Sequence, residues 1–484
     1  MITLQTPGTG FDDFESRIAL GLCRVALDCV EPKQVTLEEI DDRYVVHLDS
    51  NDTKRVGDAL SLWILRSISS EDFLQKIPGT RPKEIYDGIT KYKKTSKSVK
   101  RKGHASKMAD FGLQIRKDPL RLLDLYRENF SRELRRGAHD NICGHKIDKI
   151  LGAILAFSPQ LGSPPIRNNP VRSTEPPDVC PYCASLGLLG IASFQVGVTV
   201  SRNRRLTKER YFFIPRFRGQ TTGSALQSYI TAAKHIQPRL NNVPSNSALL
   251  ALLSSYPHIG RIVQEHIAEA SRLPTFFVAM VDTTGNAPRY QHFEERNIDA
   301  ELKFLGDNPY NVALAQRAYR YTEDKPELLG LLSKTLQFKR NQDAVSFCRE
   351  YVSTTKGKQL VYKESVKYIA KEVLDMDEKL IDDPNIGAVA KMLKYFVSKQ
   401  NFGPVDYLRG SQTPEEFAKY LLDAHRKAAG IYSKPDEKKD KKEKELFFPS
   451  EDNVREVLKL SESNFEQVKI LTCILAFTYW RKEG

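Results

Sequence analysis

Phe14, Ile18, Leu22 and Val25 follow one another at spacings of four, four and three, so residues 11–30 predict a helix with one apolar face. Residues 43–48 (Arg-Tyr-Val-Val-His-Leu) read as a strand, and residues 59–68 as a buried helix carrying Trp63. Further on, residues 191–200 and 211–217 are rich in β-branched and aromatic side chains. They predict an antiparallel pair joined by a loop over 201–210. Ser224 is placed to cap a helix bearing Leu226, Ile230 and Ala233; a helical region over 249–270 and a third strand over 275–282 follow. From about residue 310 the period is helical almost throughout. Ile386, Val389, Leu393 and Phe396 share one face, and residues 453–480 supply the last helices. Thr413-Pro-Glu-Glu416 reads as a helix start, with a capping threonine, a proline in the first turn and a glutamate three residues on. Behind it, Phe417, Leu421 and Leu422 form the apolar face.

Several stretches break the pattern. Residues 91–102 are basic with few apolar anchors and predict a loop or arm: Lys91, Lys93, Lys94, Lys97, Lys100, Arg101 and Lys102. A basic amphipathic helix follows, with Arg116, Lys117, Arg121, Arg127, Arg132, Arg135 and Arg136 among leucines. Residues 158–181 hold seven prolines and predict a structured connection. The charge run 434–445 predicts a solvated loop, and no internal repeat is visible. These breaks divide the chain into a helix-rich domain over 1–157, a proline-rich connection over 158–184, a central α+β region over 185–305 and a helical bundle over 306–484. The fold class expected is α+β and mostly α-helical: mixed N-terminal and central regions with a short antiparallel sheet, then a C-terminal helical bundle.

Composition adds a partner class. With 74 Lys+Arg against 61 Asp+Glu in 484 residues, the net charge is +13 and the pI about 9.2. A basic excess of this size favours a polyanion, and nucleic acid first among polyanions. Mean hydropathy is −0.45, and no apolar run approaches the roughly 20 residues needed to span a bilayer. No charged-then-apolar signal segment opens the chain, so a cytoplasmic protein with no membrane partner is expected. Seven cysteines are too few and too scattered for a disulfide framework.

Cys180-Pro-Tyr-Cys183 is the sharpest chemical signal. Two thiolates three positions apart hold one metal ion in a zinc-knuckle turn, and a tetrahedral site needs two more donors. Cys143 and His145, in Cys143-Gly-His145, are the nearest candidates and would make a Cys3His structural zinc site. The plain alternative is a pair of reduced thiols at a turn. A thioredoxin-type redox pair fits less well, because the sequence places the motif in a proline-rich connection rather than at a strand-to-helix junction.

Beyond the pair, Arg202, Arg204, Arg205, Lys208 and Arg210 crowd one loop, and Arg216 and Arg218 follow on the second strand. Guanidinium forks match phosphate geometry, so this cluster suits a nucleic-acid backbone; a solvated hairpin is the alternative. Gly219-Gln-Thr-Thr-Gly-Ser224 then presents amides and hydroxyls ahead of a helix, making Gln220, Thr221 and Thr222 candidates for base-edge contact. It lacks Walker spacing. His139-Asp140 would suit a metal-dependent nuclease or phosphohydrolase, but the remaining ligands of such a site are not identifiable. Palm, G-x-S-x-G and H-E-x-x-H motifs are absent from the sequence, and Gln264-Glu-His266 reads as ordinary polar helix.

Taken together, the helical opening, the mid-chain cysteine pair, Leu186-Gly-Leu-Leu-Gly190 before a basic strand pair, and the helical C-terminal third resemble one family. It is the large subunit of archaeal-type type I CRISPR effector complexes (Cascade). The likeness is architectural and spans most of the chain; only the cysteine pair is motif-like. It implies a non-catalytic subunit that contacts the crRNA 5′ handle and the target double-stranded DNA. Such a subunit reads the protospacer-adjacent motif and helps open the duplex into an R-loop. Backbone and small subunits and a separate helicase-nuclease would be its protein partners, the last performing cleavage. Two rival classes remain beside it: an enzyme centred on His139 and Asp140, and a scaffold whose basic faces meet acidic proteins.

Overall fold

The computed structural model describes residues 1–41, 43–69, 118–127, 141–145, 151–152, 178–202, 205–234, 239–241, 243, 245–256, 275–282, 289–433 and 447–479. The fold is α+β and mostly helical, in two compact units. The first comprises Met1–Leu240 and His258–Asp299; the second comprises Asn241–Pro257 and Ala300–Gly484. Two of the boundaries drawn from sequence therefore fall inside one unit. The third lies close to Ala300.

In the first unit, β1 (Ile2–Gln5), β2 (Val35–Ile40), β3 (Arg43–Leu48) and β8 (Gln220–Thr222) form an antiparallel sheet in the order β1-β3-β2-β8. A second sheet has the order β11-β10-β7-β6-β9. Its strands are β6 (Val196–Arg202), β7 (Arg205–Arg216), β9 (Arg239–Asn241), β10 (Thr275–Asp282) and β11 (Arg289–Asn297). Where one short antiparallel sheet was expected from sequence, the described residues form antiparallel sheets of four and five strands and two further two-stranded pairs. Residues 191–194 belong to a helix and the strand begins at Val196. Most of the connection predicted over 201–210 is strand instead: β6 runs to Arg202, β7 starts at Arg205, and the two residues pair.

The helices of this unit are α1 (Asp12–Cys29), α2 (Thr53–Ser69), α3 (Pro119–Arg127), α4 (Pro181–Phe194) and α5 (Gly223–Lys234). The predicted face of α1 (Phe14, Ile18, Leu22, Val25) is wholly buried. Arg17, on another side of the helix, is also buried, 1% exposed, and donates through Nε to Asp13 Oδ1 at 2.8 Å. Helix α1 lies directly against α4, and glycine is what permits it. A Cβ on Gly21 would overlap the carbonyl oxygen of Leu186, and one on Gly190 would overlap that of Arg17. Leu186-Gly-Leu-Leu-Gly190 is therefore a helix interface. Gly21→Ala and Gly190→Ala are each expected to cost about 1–3 kcal/mol or more by overpacking, read as a lower urea midpoint at unchanged slope. A midpoint equal to wild type in both would show that the two backbones separate freely.

Helix α5 starts one residue before the predicted cap. Thr222 Oγ1, not Ser224, accepts from the Ala225 amide at 3.3 Å.

The second unit holds α6 (Ser245–Ser255) and the helices after α7 (Asp299–Asp307). These are α8 (Pro309–Arg320), α9 (Glu327–Phe338), α10 (Asn341–Thr354), α11 (Lys363–Tyr368) and α12 (Glu378–Ile381), then α13 (Pro384–Ser398) and α14 (Gly403–Gly410). The last are α15 (Pro414–Tyr432), α16 (Glu451–Ser463) and α17 (Phe465–Ala476). The face of α13 read from sequence is buried, and Thr413 caps α15 by accepting from the Glu416 amide at 3.2 Å. No described helix is long and apolar enough to cross a membrane.

Candidate metal centre and basic hairpin

Residues from two distant stretches of chain meet at the start of α4. Asp178 and Val179 form β5, which pairs with β4 (Leu151–Gly152), and Cys180 is the N-cap of α4 with Pro181 at its first position. The cysteine pair thus lies at a strand-to-helix junction, contrary to the expectation that it sits in a proline-rich connection away from one. One helical turn brings Cys183 beneath Cys180. Residues 141–145 bend past both, with Gly144 at φ 67°, a left-handed conformation that glycine adopts without strain. Asn141 fixes this bend: its Oδ1 accepts from the Cys143 amide at 3.1 Å and its Nδ2 donates to the His145 carbonyl at 3.2 Å.

The result is a buried cluster. The ligand atoms of His145, Cys180 and Cys183 all lie within 4.8 Å of one another, an arrangement able to hold a metal ion. His145 Nδ1 is 3.4 Å from Cys183 Sγ, and Cys143 Sγ accepts from the Cys180 amide at 3.5 Å. Three of the four residues singled out by sequence, His145, Cys180 and Cys183, form this cluster, and Cys143 borders it through the Cys180 amide. Their electrostatics are those of three thiols sharing one dry pocket. Burial alone would push Cys180 up, but hydrogen bonds from Cys183 and His145 and the imidazole charge outweigh it and hold it well below the usual thiol range. Burial pushes Cys183 well above that range, reinforced by its bonds to Cys143 and Cys180, and burial raises Cys143. Holding all three as thiolates at once calls for a cation.

No family model matches the chain. No curated protein matches it either.

Sequence reasoning missed Tyr126 on α3. Its hydroxyl lies 3.4 Å from Cys183 Sγ, and its ring meets His145 edge-on at 5.3 Å between centroids. Burial holds its phenol well above the ordinary range. No fixed spacing connects Tyr126 to the cysteine pair, so the sequence carries no signal for it.

The basic cluster divides into two groups. Arg202, Arg205 and Arg210 are exposed on the β6–β7 hairpin, and Arg202 Nη2 pairs with Glu209 Oε2 at 2.7 Å. Arg216 does something else. Its side chain is 6% exposed and its guanidinium is occupied: Nε donates to the Tyr44 hydroxyl at 3.0 Å, Nη1 to Asp12 and Glu295 at 3.1 and 2.8 Å, and Nη2 to Glu39 at 3.1 Å. Arg218 joins the same network, donating to Glu39 and Glu295 at 2.8 Å each. Both were read as phosphate contacts; the structure makes them the centre of an ion-pair network that links β2, β7 and β11 to α1. Burial alone would weaken the Arg216 charge, but Tyr44 and Glu295 outweigh it and hold it protonated beyond the usual arginine range. Strand parity carried no signal for this, since residues 211–217 are buried on both faces and Arg210, at the same parity as Arg216, is exposed.

Of the glycine segment, Thr221 is buried, Thr222 caps α5, and Gln220 is exposed on β8 opposite Glu38. The backbone of Lys208 runs within β7. Lys91, Lys93, Lys94, Lys97, Lys100, Arg101, Lys102, Arg204, His139 and Asp140 lie outside the described residues.

Proposed function

We propose that the chain is a non-catalytic nucleic-acid-binding protein, the large subunit of a CRISPR RNA-guided complex. In this reading it contacts the crRNA 5′ handle and target DNA, reads the protospacer-adjacent motif and helps open the duplex. The observation that carries the nucleic-acid reading is the exposed arginine hairpin, Arg202, Arg205 and Arg210, on a chain of net charge +13. The architectural resemblance supplies the complex, and with it the backbone, small-subunit and helicase-nuclease partners in the cytoplasm. We also propose that the buried cluster holds zinc, with Cys143 as the fourth ligand. Zn–S of about 2.3 Å and Zn–N of about 2.0 Å set a tetrahedral S···N edge of roughly 3.5 Å, close to the 3.4 Å between Cys183 and His145. Four buried donors make such a site structural, a brace for the unit that carries the hairpin.

Salt dependence tests the hairpin. Binding to duplex DNA should weaken with salt, and Arg205→Ala with Arg210→Ala should lower the log–log slope by about 0.9 for each phosphate contact removed. An unchanged slope would sink the hairpin assignment. Incubation with single-stranded DNA and manganese tests the non-catalytic half of the reading, and cleavage lost in His139→Ala would overturn it.

A further inference from the structure

We infer that Tyr126 donates a hydrogen bond to the metal-bound thiolate of Cys183 and thereby positions and protects that ligand. The inference rests on the metal reading above and adds a residue that is not a ligand. Its geometric basis is the 3.4 Å separation of the Tyr126 hydroxyl and Cys183 Sγ, inside a pocket where Tyr126, Cys183 and Cys180 are all fully buried. A free thiol and a phenol can each donate to the other. A thiolate bound to a cation has no proton to give, so the phenol is then the donor.

Two further contacts hold the phenol in place. The Tyr126 ring packs edge-on against the His145 ring at 83°, so one side chain restrains two ligands. Helix α3 is seated at its other end where the Pro119 carbonyl passes 3.0 Å from where a Cβ on Gly57 of α2 would lie. Chemically, a donor on sulfur removes electron density from the thiolate. That lowers its reactivity toward protons and electrophiles and slows loss of the metal.

The test uses the full-length chain loaded with Co(II) in place of the native ion. Tyr126→Phe keeps the ring and deletes only the hydroxyl. The variant is expected to shift the thiolate-to-cobalt charge-transfer band to longer wavelength and to release metal to a chromogenic chelator roughly 10–100-fold faster. Its visible ligand-field bands should stay at the wild-type positions, because the four donors are unchanged. Tyr229→Phe is the control: that phenol is equally buried, and its hydroxyl has no hydrogen-bond partner among the described residues, so both readings should match wild type. If Tyr126→Phe does not fold, difluorotyrosine incorporated at Tyr126 serves instead. A more acidic phenol donates more strongly and should shift the band to shorter wavelength. A Co(II)-loaded Tyr126→Phe protein identical to wild type in band energy and release rate overturns the inference, as does an unshifted band with difluorotyrosine. A wild-type chain that takes up no Co(II) overturns the metal reading itself, which separates the two failures.

Discussion

Chelation of the purified chain is expected to unfold its first unit and leave the second folded. The four candidate ligands sit in two stretches, Cys143 with His145 and Cys180 with Cys183, so an ion between them closes a loop of the chain from His145 to Cys180. By chain entropy alone a cross-link of that length stabilises by about 4 kcal/mol, a large part of the total stability of an ordinary domain. Stripping the ion also leaves three thiols and an imidazole packed in a dry pocket with incomplete partners, which adds to the loss. Among the described residues of the second unit no comparable cluster occurs. Hydrogen exchange read by mass spectrometry checks this directly. Peptides from α1 and α4 should lose protection on chelation, and peptides from α13 and α17 should keep it. Cys180→Ser with Cys183→Ser should reproduce the pattern without chelator. Equal protection of α1 and α4 with and without chelator would remove the metal from any account of this fold.

Replacing Arg216 with methionine is expected to cost up to about 3 kcal/mol, because it leaves the buried Glu39 carboxylate with Arg218 as its one remaining arginine partner and removes one of the two arginines on Glu295. Adding Glu39→Gln should restore part of that loss, since it removes one of the charges left short of a partner. The pH dependence gives a second reading. Burial alone would raise the Glu295 carboxyl, but the Thr275 hydroxyl together with Arg216 and Arg218 outweighs it and holds the carboxyl below its ordinary range. A carboxylate with a depressed folded-state value contributes stability that is present above its unfolded value of about 4.3 and is lost as the pH falls below it. Wild type should therefore lose stability in acid faster than Arg216→Met, and the gap between them should narrow below about pH 4. Parallel stability curves for the two proteins across that range would show that Glu295 does not feel Arg216.

How far the sequence reached can be judged from these same residues. Helix α1 was legible because four apolar residues at helical spacing admit only one face, and α15 because a capping threonine and a proline at the first turn are local signals. Cys143 and His145 were legible by residue type, since thiol and imidazole are scarce and a knuckle needs both. The second sheet was only partly legible. Thr275–Asp282 shows as a buried run, but its neighbour Arg289–Asn297 is mostly polar on an edge, so no apolar run marks it. The role of Arg216 was not legible: its acidic partners come from α1, β2 and β11, and no local pattern announces a contact between them. Leu186–Gly190 was read as one feature of a family likeness. Its physical role, two glycines that let helix backbones touch, becomes visible only once α1 is laid against it.

The close return of Arg205 onto Arg202 sets how far the arginines reach. Strand β7 pairs with β10 only from Glu209 onward, so among the described residues Arg205–Lys208 continue with β6 alone. At about 3.3 Å per residue, that is a projection of roughly 13 Å from the sheet. If the hairpin meets duplex DNA as proposed, a two-stranded ribbon is narrow enough to enter a major groove about 12 Å wide. Arg202 and Arg205, paired across the two strands, are then presented on a ribbon continuous with the sheet behind it.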